Sequence, residues 1–437
     1  MKNILNKKHW SLLGLLALLI CTIGFVSCED NNDTSNSPMN INAVYLEDAQ
    51  SSVPDRKVDY ARLGQTLRLE GSGFSDVQKI HINGRNTYFN ATFVTNNNII
   101  VQISRETPTV DASPEVRNKI VLEKNGTFYE FEFEIRAAAP TITNISHTLP
   151  KAGEIITIYG VGLYDASSVT FPGDIVVDNG ITTNEEGTEV TVTVPYGITE
   201  SGSVLVIAAN GGAYSPACFN YKQGIVHNFD DIQNYSWGFI SSDTPPLTAV
   251  IPASGNFPKS QGGYQIFNAN GNLGANVDQR YWLNSGAISG NILNHISGST
   301  STADCGMQMD IYVEGVWNSG IIRFVMGDGW GTSRYCMTYQ PVYINGAYDV
   351  TAFENPGCWF TITFPFSLSA DYQGKTLDDV VANMLSADYK QSGPFFENTG
   401  IVDVFESVSA TGKVYFDNIR FVLLTTPAYS DYPENEE

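Results

Sequence analysis

The 437-residue chain has room for two or three domains, and its 42% hydrophobic and 12% aromatic content can bury sizeable cores, which excludes global disorder. Charged residues make up only 16%, and acids outnumber bases 46 to 24, for a net charge of −22. That field repels phosphate backbones and excludes nucleic acid as a favoured partner, while a neutral polymer is not repelled.

The first 27 residues read as an export leader. Lys2, Lys7 and Lys8 form a positive start, and the apolar run Leu12 to Val26 is too short and wrongly flanked for a membrane span. The leader ends FVSC, which resembles a bacterial lipobox and implies that Cys28 becomes the lipidated first residue. Cys21 fits less well, because Ile20 precedes it and apolar residues follow. The acidic EDNND after Cys28 resembles the export signal of lipoproteins displayed outside a Gram-negative outer membrane. This resemblance implies an outer-membrane, lipid-anchored and cell-surface-exposed protein, with residues 28–40 as its polar linker. Removing the leader takes three lysines and no acids, leaving 21 basic against 46 acidic side chains and a net charge of −25.

An internal repeat follows. LGQTLRLEGSGF at 63–74 aligns with AGEIITIYGVGL at 152–163, and Gly64, Gly71 and Gly84 recur as Gly153, Gly160 and Gly173, each 89 residues later. That period is the length of an immunoglobulin-like sandwich domain. FEFEI at 131–135 and TEVTVTV at 188–194 alternate with period two, as half-buried strands do. No helix follows either G-x-G, so these are not nucleotide loops. A strand closing on G-x-G-F or G-x-G-L, then a further strand and glycine, resembles the IPT/TIG immunoglobulin-like family. The resemblance covers 41–136 and 140–221, which meet at Ala137-Ala138-Ala139-Pro140, and it implies two spacers.

From residue 222 to 437 the texture changes, and Trp237, Trp282, Trp317, Trp330 and Trp359 all fall there. Glycine- and asparagine-rich loops separate the strand patterns MQMDIYV, IIRFVM, WFTITFPF and VYFDNIRFVLL. One helix is predicted, capped by Thr376 with Asp379 three residues on. Its stripe Leu377, Val380, Val381, Met384 and Leu385 is expected to face the core. Four cysteines, Cys218, Cys305, Cys336 and Cys358, are read either as free thiols or as disulfides in one of three pairings. His81, His147, His227 and His295 lie more than 60 residues apart, and no metal constellation emerges from spacing.

NFDDIQNYSWGF at 228–239, WFTITFPFSLS at 359–369 and VYFDNIRFV at 414–422 are similar to the opening, internal and closing strands of carbohydrate-binding jelly rolls. With the lipobox and tandem IPT/TIG copies, the chain resembles the surface glycan-binding lipoproteins of polysaccharide-utilisation loci. The resemblance implies an all-β chain of two sandwiches and a larger jelly-roll-like sandwich with one short helix. It also implies non-catalytic capture of an extended neutral polysaccharide, a β-glucan or hemicellulose such as xyloglucan or mixed-linkage glucan. The implied partners are that polysaccharide, a TonB-dependent importer and a SusD-like lipoprotein. No cofactor is required, but Asp230 and Asp417 sit where such modules bind structural calcium, with strand-end capping as the other reading.

Sugar chemistry singles out the aromatics. Indole offers a flat face to the C–H side of a pyranose, and polar neighbours then pair its hydroxyls. Trp317 in VEGVWNSGII is expected at a hairpin tip, Trp282 with Tyr281 in the polar stretch DQRYWLNSG, and Trp330 in the Gly-Trp-Gly loop after strand 320–326. Tyr335, Tyr339 and Tyr343 are expected to share one face of a strand, lining the groove or covering a helix. Asp328 and Arg334 are the expected hydroxyl partners, Trp359 is expected in the core, and Trp237 is left open. Two other functions stand beside capture. A glycoside hydrolase or lyase needs paired carboxylates, and no spacing singles out a pair among Asp304, Asp310, Glu314 and Asp328. A surface adhesin without a glycan ligand also uses IPT/TIG repeats.

Overall fold

The structure, a computed structural model, describes residues 37–48, 53, 55–230, 234–239, 262–275, 277–327, 334–344, 347–387, 390–398 and 408–430. The leader, Cys28, Asp328 and Trp330 lie outside the described residues. The chain forms two compact units, one ending at Ala137 and one beginning at Ala138.

In the first unit, strands Asp55–Lys57, Asn40–Glu47, Thr66–Ser72, Asn98–Gln102 and Phe89–Val94 make one sheet in that order. Thr127–Glu132, Lys119–Lys124, Lys79–Ile82 and Arg85–Thr87 make the facing one. Alternation places Leu67, Leu69, Ile80, Ile82, Ile99 and Leu122 between them, all fully buried. Gly71 shows why the repeated glycine is needed. A Cβ there would lie 1.9 Å from the Asn40 carbonyl oxygen, and at Gly160, in the second sandwich, 2.0 Å from that of Thr141. Each first strand bulges at this point, between Ile41 and Ala43 and between Ile142 and Asn144. The repeat therefore encodes one backbone crossing twice.

The second unit joins that second sandwich to the C-terminal one. Strands Thr141–Ile145, Ile155–Val161, Glu189–Thr193 and Thr182–Thr183 face the sheet Ile175–Val177, Ser168–Phe171, Leu205–Ala208 and Gly211–Tyr214. The C-terminal sandwich has a back sheet in the order Ile225–His227, Lys413–Leu423, Cys305–Glu314 and Phe360–Pro365, with Gln265–Phe267 also paired to Lys413–Leu423. Its front sheet runs Tyr235–Phe239, Val277–Asn284, Gln391–Asn398, Ile321–Val325 and Cys336–Tyr339. Met307, Met309, Ile311 and Val313 from the back sheet meet Tyr281, Leu283, Ile322, Phe324 and Phe396 from the front in one core.

The join is hydrogen-bonded and buried. Thr361 N–H donates to the Ser146 carbonyl (2.8 Å), so the back-sheet edge continues onto the second sandwich. Thr148 Oγ1–H donates to Gln308 (2.9 Å), and its N–H to Thr361 Oγ1 (3.0 Å). Arg420, fully buried, donates to Thr148 Oγ1 (2.9 Å) and to Asp310 (2.8 Å). After the last strand the chain returns: Ala217 N–H donates to the Thr425 carbonyl (2.9 Å), and the Tyr429 and Tyr214 rings lie 6.2 Å apart.

Among the described residues of this sandwich there are two α-helices rather than the one expected. Leu377–Ser386 carries the predicted capping box, with Thr376 N–H donating to Asp379 (2.9 Å), and buries Leu377, Val380, Val381 and Met384, whereas Leu385 is exposed. Ser285–Leu293 is the unexpected one. Its SGAISGNIL has two glycines and only Ile288 and Ile292 inward, too weak a stripe to see, but Asn284 caps it by accepting from Ala287 N–H (3.1 Å).

Candidate functional site

Most of the aromatics singled out from sequence serve the core. Trp317 does not sit on a hairpin tip, because Cys305–Glu314 and Ile321–Val325 belong to different sheets. The segment between them crosses the end of the sandwich and drops the indole inside, 1% exposed. There Nε1–H donates to the Gly320 carbonyl (2.9 Å), and the ring packs within 5.7 Å of Tyr339, Phe353 and Phe396. Tyr281 is fully buried, with its hydroxyl 2.9 Å from His227 Nε2. Neither ring can offer a face to a sugar.

Tyr335, Tyr339 and Tyr343 do not share one strand face. Tyr335 precedes the strand Cys336–Tyr339 with φ +53°, and a turn separates that strand from Tyr343–Ile344. All three are half-buried against the core. Asp371 holds the start of this stretch by accepting from Tyr335 N–H (3.0 Å) and pairing with Arg334 (3.2 Å). Trp359 is buried but outside the main core, grouped with Tyr264, Ile266, Tyr312 and Tyr415. The four described cysteines are free thiols, three buried and Cys358 exposed.

Trp282 is different. It lies on a strand rather than in a loop, and it is 2% exposed, which corrects the expectation of an open ring. Yet it points away from the main core, because alternation along Val277–Asn284 sends Tyr281 and Leu283 inward and Asp278, Arg280 and Trp282 to the outer face of the front sheet. Its cluster partners, Val325, Cys336 and Phe395, come from the same sheet. Trp282 meets Phe395 edge-on at 4.6 Å, and Trp237 is its register partner on the next strand. Gly393 lets the strand Gln391–Asn398 run close against Val277–Asn284, since a Cβ there would be 2.0 Å from the Tyr281 carbonyl oxygen.

Charged groups flank these rings. Arg280 pairs with Asp278 through two hydrogen bonds (2.8 and 2.7 Å), and its guanidinium stands 5.4 Å from the Phe395 centroid. Arg323, 5.7 Å from the same ring, pairs with Glu397. Burial pushes the Glu397 carboxyl above its ordinary value, against the pull of Arg323. Trp282 and Phe395 are as buried here as Trp317 (2% and 1% exposed), so this face packs its rings among paired charges rather than presenting them open. Asp278, Arg280, Arg323, Phe395 and Glu397 were missed from sequence. The available signal was their parity with Trp282 across paired strands: Arg280 lies opposite Phe395, and Phe395 opposite Arg323.

Asp230 and Asp417 lie near the back sheet. Asp230 accepts from Gly263 N–H (2.7 Å) and Asn228 (2.9 Å), and Asp417 from Asn418 N–H (2.7 Å). Burial first, then the Asp310 charge, push Asp417 well above the usual carboxylate range. Burial alone would raise Asp310 too, but Arg420 and His147 hold it well below that range. Among the described residues no group of three or more His, Cys, Asp and Glu side chains could hold a metal ion.

Residues 219–423 match the family model described as "Surface glycan-binding protein B xyloglucan binding domain". Over that stretch the chain is similar to surface glycan-binding protein B. An IPT/TIG domain-containing protein of Bacteroides ovatus is 24% identical over 371 residues, 82% of this chain and 69% of that one. The crystal structure of surface glycan-binding protein PbSGBP-B from Prevotella bryantii superposes with TM-score 0.60 at 18% identity, covering 89% of this chain and 99% of the other. That likeness shows the all-β, multi-sandwich fold. SGBP-B from a complex xyloglucan utilization locus in Bacteroides uniformis gives TM-score 0.46 at 19% identity, covering 88% of this chain and 99% of that one.

Proposed function

We propose that this chain captures a neutral, extended β-glucan, xyloglucan first among candidates, at the outer cell surface without cleaving it. The observation that carries the reading is the match of residues 219–423 to a xyloglucan-binding domain, over the stretch that contains the Trp282–Phe395–Arg280 face. Net acidity supports a neutral rather than an anionic polymer. On the front sheet, Asp278 pairs with Arg280 and Glu397 with Arg323. Contact with the Trp282 ring requires that face to be uncovered, and binding reads this directly.

Anchoring through Cys28 at the outer membrane, and delivery to a TonB-dependent importer beside a SusD-like lipoprotein, complete the proposal. The anchor rests on the FVSC leader end and the acidic stretch after it, and the two partners on the resemblance to the lipoproteins of polysaccharide-utilisation loci. Capture needs no cofactor. Native gels cast with xyloglucan, mixed-linkage glucan and other neutral polysaccharides, with an assay for new reducing ends, test it. Retardation without new ends is expected. New ends would make the chain an enzyme, and no retardation on any of these gels would sink capture. Dialysis against EDTA should leave retardation unchanged. A melting temperature that falls with EDTA and recovers with Ca²⁺ would assign calcium a structural place at Asp230 and Asp417.

A further inference from the structure

A cavity lies between the second sandwich and the C-terminal one, with a volume of about 700 Å³. Sites for small organic ligands span about 300–1,000 Å³ and favour domain junctions. One wall is the outer face of Ile155–Val161, where alternation turns Ile155, Thr157 and Tyr159 away from the sandwich core. The other wall is aromatic: Tyr339, Phe353 and Phe360. These rings are braced from behind, since Trp317 packs on Tyr339 (5.7 Å) and Phe353 (5.6 Å), and Phe353 on Phe360 (6.1 Å). The Ser146–Thr361 and Thr148–Gln308 hydrogen bonds hold the two walls together, so the cleft is formed in advance.

Its polar lining is neutral, with Thr143, Asn144, Thr157 and Thr363 offering hydroxyl and amide groups. Glu354 is the one acid in the lining, and no Lys, Arg or His lines it among the described residues. An anionic ligand would find no countercharge, and a purely apolar one would strand the hydroxyls and amide. We infer that this interdomain cleft is a second site for a neutral oligosaccharide segment, distinct from the front sheet. The inference rests on the capture function proposed above. A chain held at two points dissociates more slowly, because the second contact is intramolecular.

Cys358 gives a local reporter, since it lines the cleft and is the exposed thiol among the four described. Its labelling by N-ethylmaleimide, followed on the Cys358 peptide by mass spectrometry, would be timed with and without a xyloglucan-derived oligosaccharide. At a concentration ten times Kd, labelling should slow about tenfold by mass action. Trp282→Ala should leave this protection in place. Thr157→Arg should remove it while keeping the melting temperature and the front-sheet contribution to gel retardation, and Ile155→Arg, at a 70% exposed position, should do the same. A labelling rate unmoved by ligand, in a chain that polysaccharide still retards, would overturn the cleft and leave capture standing. Protection that survives both arginine variants would also overturn it. Neither retardation nor protection would sink both readings.

Discussion

Replacing Trp317 by alanine separates a core role from a sugar-binding one. The side chain is 1% exposed, and an indole of about 200 Å² at about 25 cal/mol per Å² represents about 5 kcal/mol of burial. Losing the Nε1–H bond to Gly320 (2.9 Å) leaves that carbonyl unpaired, at about 1 kcal/mol. Partial collapse of Tyr339, Phe353 and Phe396 into the space offsets some of this, and large aromatic truncations typically cost about 3–5 kcal/mol. A loss of about 4 kcal/mol, at about 2–4 °C per kcal/mol, lowers the melting temperature by about 8–16 °C. Trp317→Phe keeps a ring against the same neighbours and should cost about 1–2 kcal/mol. Calorimetric melts would be paired with gel retardation well below the transition. A melting temperature within about 2 °C of wild type, together with lost retardation, would refute the placement of Trp317 in the core.

Other outcomes follow from the same structure. Trp282→Ala should weaken polysaccharide retardation more than Trp317→Phe does, and equal retardation by wild type and Trp282→Ala would remove the front-sheet face from the site. Asp310→Asn leaves the fully buried Arg420 short of its carboxylate and should cost about 3–5 kcal/mol in thermal or denaturant unfolding. Because the folded Asp310 carboxyl lies below its ordinary value, its contribution is present above about pH 4 and is lost as pH falls through the folded pKa. Melting temperature against pH should therefore show an acid limb that Asp310→Asn flattens. Gly160→Ala drives a Cβ to 2.0 Å from the Thr141 oxygen and should cost at least about 2 kcal/mol, whereas Gly180→Ala, with no atom within 4 Å, should cost less by the same melts.

Local periodicity was readable wherever one face of an element is buried and the other is not. Leu67 and Leu69, the 89-residue glycine repeat, and the Thr376 cap all carry their geometry within a few neighbouring residues. The Ser285–Leu293 helix was not readable, because two inward isoleucines and two glycines make no stripe, and its placement depends on packing. The same limit applies to aromatics. VEGVWNSGII resembles a hairpin only if its flanking strands pair, and pairing is set by the distant partners Lys413–Leu423 and Gln391–Asn398.

Sequence by itself determined that this is an acidic, β-rich chain with a duplicated glycine crossing and a tryptophan-rich C-terminal domain. Those properties follow from composition and from periods of two and 89 residues, which need no partner to be seen. Tertiary structure alone decided which aromatic faces which way. A one-residue step along Val277–Asn284 separates Tyr281 inside the sandwich from Trp282 on its outer face, and only the sheet that covers one side tells them apart.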